Sequence, residues 1–385
     1  MNDLRKKALS YHKKHQGKLY VGTHESINTR EDMSLAYTPG VAHACKAIES
    51  DPDSAEDYTF KKRMIAIVTD GSAVLGLGNI GSLAALPVME GKSALLRRFA
   101  GLEAFPICLK SQDEATIVQT IEEIAAPFGA IMLEDIAAPK CVSIEKTLQK
   151  TLPVPVFHDD QHGTAIVICA ALINALKLTN KTFEDIHIVL SGTGAAGHAA
   201  ALLLHDFGAS HIRAINKNGP VKEDTDDPLC KHLFEAQALK PAETDERADL
   251  FDGADVFIGV SAPGIIDENM IRRMGDHPIV FAMANPDPEI NRDTAFAGGA
   301  YIYGSGRSDD PNQINNCLVF PGLMSGLMRS SATTMTPAMK KSAAIALANT
   351  VVNHERSVNH ILPSIFEKGI SDIIADAVIK TLKEH

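Results

Sequence analysis

Two acidic doublets are distinguished by what precedes them. Glu134-Asp135 follows the apolar run 129–133, and Asp159-Asp160 follows the apolar run 153–157 and His158. An apolar run that stops at a carboxylate pair reads as a buried strand ending at the rim of a sheet. Two such rims bring up to four carboxylates together, with no Lys or Arg beside them in sequence. Packed carboxylates repel unless some stay protonated or a cation sits among them. Hard divalent ions such as Mg2+ and Mn2+ take oxygen ligands of this kind. The first expectation is therefore a metal site. His158 and His162 bracket the second doublet; ligation by either stays open, but the carboxylates favour a hard ion, and His158 fits better as a group that orients its neighbours.

The pattern Gly-x-Gly-x-x-Gly occurs twice, at Gly76, Gly78, Gly81 and at Gly192, Gly194, Gly197. A dinucleotide loop needs a strand running into it and a helix leaving it, so that the helix N-terminus faces the pyrophosphate. The second match meets this: a strand ends at Leu190 and a helix opens at Ala195. The first lies six residues after its strand and reads as a tight packing turn near the substrate. An acid about 20 residues past the dinucleotide loop usually binds the ribose. Here that place is taken by Asn216 and then Lys217. Asn216 can still hydrogen-bond a ribose hydroxyl but lacks the charge that repels a 2′-phosphate, which Lys217 could attract.

Other residues qualify on chemistry alone. Lys92, beside Gly91 and ahead of an apolar helix, could enter a partly apolar pocket, have its pKa lowered and act as a base; a surface lysine at a helix start is the plainer reading. Tyr37, one of only six tyrosines, is framed by a turn and by itself reads as a packed core tyrosine. Asn285 closes a strand, where ligands bind in open parallel sheets, and is equally a turn former. Asn315-Asn316 precede an apolar segment.

The elements that must position these groups follow from the pattern. Residues 64–70 and 104–109 read as strands, 93–100 and 115–126 as helices; strand-helix alternation with short links indicates a mostly parallel sheet. Residues 163–178 form a small-residue, apolar helix packed deep in the protein. A new register starts at 186, with strands at 186–190, 211–215, 254–260, 278–283 and 300–303. The stretch 220–241, acidic and proline-punctuated, reads as surface connection, and the chain is helical from Pro337 onward. The first ~20 residues read as a basic, solvated helix. With 385 residues, two domains are expected, divided as 1–155 and 156–385. Net charge −11 argues against nucleic acid as a partner. No uninterrupted apolar run approaches the ~18 residues of a membrane span, and there is no signal-peptide core at the start. Six scattered cysteines without a Cys-x-x-Cys pair fit reduced thiols in a cytoplasmic protein.

Eight ordered segments together resemble the short bacterial and archaeal malic enzymes, across nearly the whole chain. They are residues 37–42, 69–81, 87–92, 133–136, 158–165, 191–197, 284–286 and 315–322. The resemblance implies an α/β fold with an N-terminal α/β substrate domain, a Rossmann-type doubly wound NAD(P)-binding domain and C-terminal helices. It implies oxidative decarboxylation of L-malate to pyruvate and CO2 with reduction of NAD or NADP, NAD slightly favoured. Glu134, Asp135 and Asp160 would bind Mg2+ or Mn2+. Lys92 would be the general base, Tyr37 the acid that protonates C3 of the enolate, and Asp159 a supporting group near Lys92. Gly192, Thr193, Gly194, Ala195, Ala196 and Gly197, with Asn216, would hold the nucleotide; Asn285 and Asn316 would bind substrate carboxylate or the nicotinamide ribose. A homodimer is implied, in which Tyr37 is a group one site could borrow from the partner. A malolactic-type lyase giving lactate and an oxaloacetate decarboxylase are the alternatives. One departure concerns substrate binding: where long eukaryotic relatives carry an arginine before the glycine turn, this chain has Ser72-Ala73-Val74.

Overall fold

Alternate residues of one apolar strand feed two separate cores, and that division organises the first half of the chain. In β1 (Met64–Thr69), Ile65 and Ile67 pack with Met89 and Leu96 on one side, while Ala66 and Val68 pack with Ile117, Ile121 and Ile144 on the other. The computed structural model describes residues 2–23, 27–74, 76–330 and 332–383. Four helices precede that strand: α1 (Asn2–His15), α2 (Arg30–Ala36), α3 (Val41–Ser50) and α4 (Ala55–Tyr58). After it come α5 (Ser82–Ala100), β2 (Glu103–Cys108), α6 (Glu114–Ile124), β3 (Ala130–Leu133), α7 (Lys140–Thr151) and β4 (Val156–His158). The four strands form a parallel sheet in the order β2-β1-β3-β4.

The second half is wound around α8 (Asp159–Thr179), β5 (His187–Ser191), α9 (Ala195–Asp206), β6 (His211–Asn216) and β7 (Gly219–Pro220). It continues through α10 (Pro228–Glu235), β8 (Val256–Gly259), α11 (Glu268–Arg272), β9 (Ile279–Ala282), α12 (Arg292–Ala297) and β10 (Ile302–Ser305). The sheet order is β10-β9-β8-β5-β6-β7, parallel except for β7. Successive strands are added first on one side of β5, as β6, and then on the other, as β8, so the strand order switches there and opens a crevice at the strand ends. The expected doubly wound sheet is present. α13 (Phe320–Met328), α14 (Pro337–Thr350) and α15 (Ile370–Lys383) follow; α14 packs on α8, and α13 returns to α5 of the first half.

Several local expectations shift. α8 is the one helix among the described residues long and apolar enough to span a bilayer, and it is mostly buried in the main core. The division expected at 155/156 lies just before β4, which pairs with β3 in the first sheet; the change of sheet comes across α8. Lys92 is not ahead of its helix but in the middle of α5, which begins directly after Gly81 and runs through Pro87. The stretch 220–241 is more than connection: α10 is capped by Asp227 and buries Leu229, Cys230 and Leu233. The C-terminal helical run is broken between α14 and α15. All six cysteines are free.

Candidate active site

The two doublets meet, each directly after a strand of the first sheet. Glu134 continues the β3 ladder, its N–H donating to the Val68 carbonyl at 3.0 Å. Asp159 and Asp160 occupy the first turn of α8, because β4 passes straight into that helix with His158 as its N-cap. A helix N-terminus favours negative side chains, which offsets part of their repulsion. Oxygens of Glu134, Asp135 and Asp160 lie within 4.8 Å of one another. The Asp135 N–H donates to Asp160 Oδ2 at 2.8 Å, with Asp135 in left-handed backbone at φ 55°. Glu134 Oε2 is buried and has no hydrogen-bond partner among the described residues. Burial, then the charge of Asp160, pushes the Glu134 carboxyl well above its usual range against the pull of Lys92. Clustered oxygens with an unmet acceptor and a disfavoured charge are what a hard divalent cation satisfies, so these residues fit Mg2+ or Mn2+.

The doublets lack a cation in sequence but not in space. Lys92 Nζ lies 3.0 Å from Glu134 Oε1 and is also hydrogen-bonded to Asp159 Oδ2. Its ammonium sits 4.5 Å from the centroid of the Phe320 ring on α13. Burial works to lower the Lys92 pKa, but the charges of Asp159, Glu134 and Asp160 outweigh it and raise the value. The expectation of a lowered pKa is thereby reversed for the protein alone, and neutralising these carboxylates would favour release of the Lys92 proton.

The second glycine motif lies at the switch point. β5 ends at Ser191 and α9 starts at Ala195, with Gly194 as an N-cap that uses no side chain. A Cβ at Gly197 would come within 1.8 Å of the Gly192 carbonyl, so only glycine lets the helix approach its loop. Free N–H groups at this helix end and a cleft of about 380 Å³ beside Gly192, Thr193 and Gly194 fit a dinucleotide. The first motif serves contact instead. A Cβ at Gly76 would lie 2.0 Å from the Asn285 carbonyl, so the turn after β1 closes on the loop after β9.

Known proteins resemble this chain along most of its length. Residues 13–117 match the model for the malic enzyme N-terminal domain, and residues 161–383 match that for the malic enzyme NAD-binding domain. The chain belongs to the malic enzyme family. It is 46% identical over 385 residues to a bifunctional malic/malolactic enzyme of Bacillus subtilis, covering 99% of this chain and 93% of that protein. Identity is also 46% over 367 residues with an NAD-dependent malic enzyme of Geobacillus stearothermophilus, covering 94% of this chain and 76% of the relative. A crystal structure of an NAD-dependent malic enzyme from Thermotoga maritima has a TM-score of 0.91 at 41% identity, covering 97% of this chain and 98% of that one.

In this malic enzyme the remaining candidate residues divide. Asn285 and Asn316 lie at the seam between the halves. The Asn285 side chain donates to the Met283 carbonyl at 3.2 Å, and Asn316 opens the short helical turn that leads to Phe320. Tyr37 is not brought to Lys92 by any hydrogen bond or ring contact. It ends α2, is exposed, and is not the packed core residue that its turn suggested. Ser72, in the stretch without an arginine, accepts the Ala137 N–H at 2.8 Å and so braces the segment after Asp135.

Two buried glutamates escaped the sequence reading. Glu145 on α7 accepts from the His158 N–H at 2.9 Å and from Gln161 Nε2 at 3.2 Å, and it contacts His162 Nε2 at 2.9 Å. It thus ties down the start of the helix that carries Asp159 and Asp160. His162 in turn bonds Lys340 Nζ through Nδ1 at 2.9 Å, which makes it part of this brace and not a metal ligand. Glu289 accepts from the Ser261 N–H at 2.8 Å and the Ala284 N–H at 3.0 Å, joining the loop after β8 to the Asn285 loop. No motif marked either one. Their sequence neighbours, Ile144 and Lys146 in one case and Pro288 and Ile290 in the other, gave no signal either.

Proposed function

We propose that this malic enzyme converts L-malate to pyruvate and CO2 with reduction of NAD(P), using Mg2+ or Mn2+ held by Glu134, Asp135 and Asp160. The observation that carries this reading is the buried contact of Lys92 Nζ with Glu134, one of those carboxylates, at 3.0 Å. When bound, the cation polarises the C2 oxygen of the substrate and the nicotinamide accepts hydride. Lys92 takes the proton from the C2 hydroxyl, with Asp159 holding its Nζ in place. Phe320 covers the ammonium and keeps water from it. Asn285 and Asn316 orient the substrate carboxylate or the nicotinamide ribose.

Tyr37 delivers the proton to C3 of the enolate, and we assign it to the site of a second copy. Supporting this are its exposure and the character of its surroundings. α2 and α3 bury no residue at all, and Leu9, Tyr11, Val21 and Leu35 are exposed nearby in sequence. Exposed apolar side chains along this segment call for a covering surface, and a homodimer would supply one. Such an enzyme works on small acids, with reduced thiols, in the cytoplasm.

The name of the Bacillus subtilis relative keeps a malolactic reaction as the second reading. Incubation with L-malate and Mn2+, with either NAD or NADP, separates the two. Reduced cofactor should accumulate in step with pyruvate. Lactate without net reduced cofactor would overturn the oxidative reading in favour of the lyase.

A further inference from the structure

The nucleotide cleft carries two cations with no acid assigned to them. Its lining includes Asn216 and Lys217 at the end of β6, and also Arg247, which opens a short helical turn thirty positions later (Arg247–Phe251). Lys217 and Arg247 make no ion pair and no side-chain hydrogen bond among the described residues, although other cations in that stretch are engaged, such as Lys222 with Asp245 at 2.5 Å. The one carboxylate lining the cleft, Asp227, is already used: its Oδ1 accepts from the Leu229 and Cys230 N–H groups as the cap of α10.

Asn216 adds a directional argument. Its Oδ1 accepts the Asn218 N–H at 2.8 Å. The acceptor end of the amide is therefore turned toward its own loop, and the NH2 group, which has no partner among the described residues, is free to donate. An adenosine ribose with a free 2′-hydroxyl is normally held by a carboxylate that accepts its proton. This cleft presents no such acceptor at that strand end. It presents a neutral donor and two cations, which match the acceptor oxygens and the negative charge of a phosphate.

We propose that Asn216, Lys217 and Arg247 form a 2′-phosphate subsite and that the enzyme prefers NADP to NAD. This reverses the slight preference for NAD expected from the sequence, where Arg247 was not visible as a neighbour. The proposal rests on the dinucleotide reading of the cleft but not on which acid is oxidised.

Two measurements on the full chain test it. The first is calorimetric binding of 2′,5′-ADP against 5′-AMP, which needs neither substrate nor metal. The 2′-phosphate compound should bind at least about tenfold more tightly, and Arg247→Ala or Lys217→Ala should each reduce that ratio by about 10-fold or more, as expected for a lost charge-assisted contact. Equal binding of the two nucleotides, or an unchanged ratio in both variants, would overturn the subsite. Failure of both nucleotides to bind would instead remove the dinucleotide reading on which the subsite rests. The second measurement is the ratio of kcat/KM for NADP to that for NAD with L-malate and Mn2+. It should exceed one in the parent and fall in Asn216→Asp, whose carboxylate repels the phosphate and accepts from a free hydroxyl. A parent ratio below one would defeat the proposal even if malate oxidation itself is confirmed.

Discussion

Lys92 is enclosed and Tyr37 is open, although the proposed reaction needs both to move protons on one substrate. The Lys92 side chain is 11% exposed, ion-paired to Glu134 and Asp159, and covered by Phe320. Tyr37 is 66% exposed, on a helix that buries nothing. On the proposed reading, one chain completes the oxidative half of the site, where a buried charge needs fixed partners, and a second copy would bring the protonating half into place. The proposed base is held by the core of its own subunit, whereas the proposed acid depends on assembly.

The largest expected effect is at the enclosed group. Lys92→Ala should lower malate turnover by at least about 100-fold, the scale of a lost acid-base group. Near-normal steady-state rates would remove Lys92 from the chemistry. Tyr37→Phe should cost about 100-fold or more in pyruvate formation. It should also distinguish the two regions: mixed dimers of Lys92→Ala and Tyr37→Phe chains, formed by co-expression, should regain about a quarter of parental activity, because each hybrid contains one intact site. No recovery would place Tyr37 in the site of its own chain and dissolve the contrast drawn here.

Smaller effects should follow from the ligands and their support. Asp135→Ala should weaken Mn2+ binding, followed by the paramagnetic resonance of free Mn2+, by at least about tenfold; an unchanged titration would exclude Asp135 as a ligand. Glu145→Gln keeps the volume and one acceptor oxygen but loses the charge that faces His162 and the N–H of His158. About a tenfold loss of Mn2+ affinity, in the range typical of groups that hold ligands in place, should accompany a fold of near-parental thermal stability. Full Mn2+ affinity in that variant would reduce Glu145 to ordinary packing.

Much of this molecule was legible before any coordinates. An apolar run followed by Glu134-Asp135 marked a strand end, because burial and charge change abruptly where a sheet meets its rim. Gly192 and Gly197 marked the turn between β5 and α9, because close approach of a helix to its loop tolerates no side chain there. Asp159 and Asp160 also follow directly on a strand end, but the sequence did not show that they open α8: residues 156–158 make so short a strand that its end and the start of that helix coincide. Lys92 was legible as a residue of interest, yet its environment was not. Its acidic partners lie 42 and 67 positions away, and they raise the pKa that an apolar pocket alone would lower.

The sequence by itself determined the local grammar: where strands stop, which turn can face a pyrophosphate, and which acidic groups are available as ligands. These depend on neighbours a few residues apart. Only the tertiary structure decided that Lys92 stands among those acids, that Glu145 and Glu289 brace the loops, that Arg247 joins Lys217, and that Tyr37 is left outside. Each of these depends on charges and apolar surfaces meeting from distant parts of the chain. Such meetings are fixed by the packing of two sheets about α8, and no local pattern encodes them.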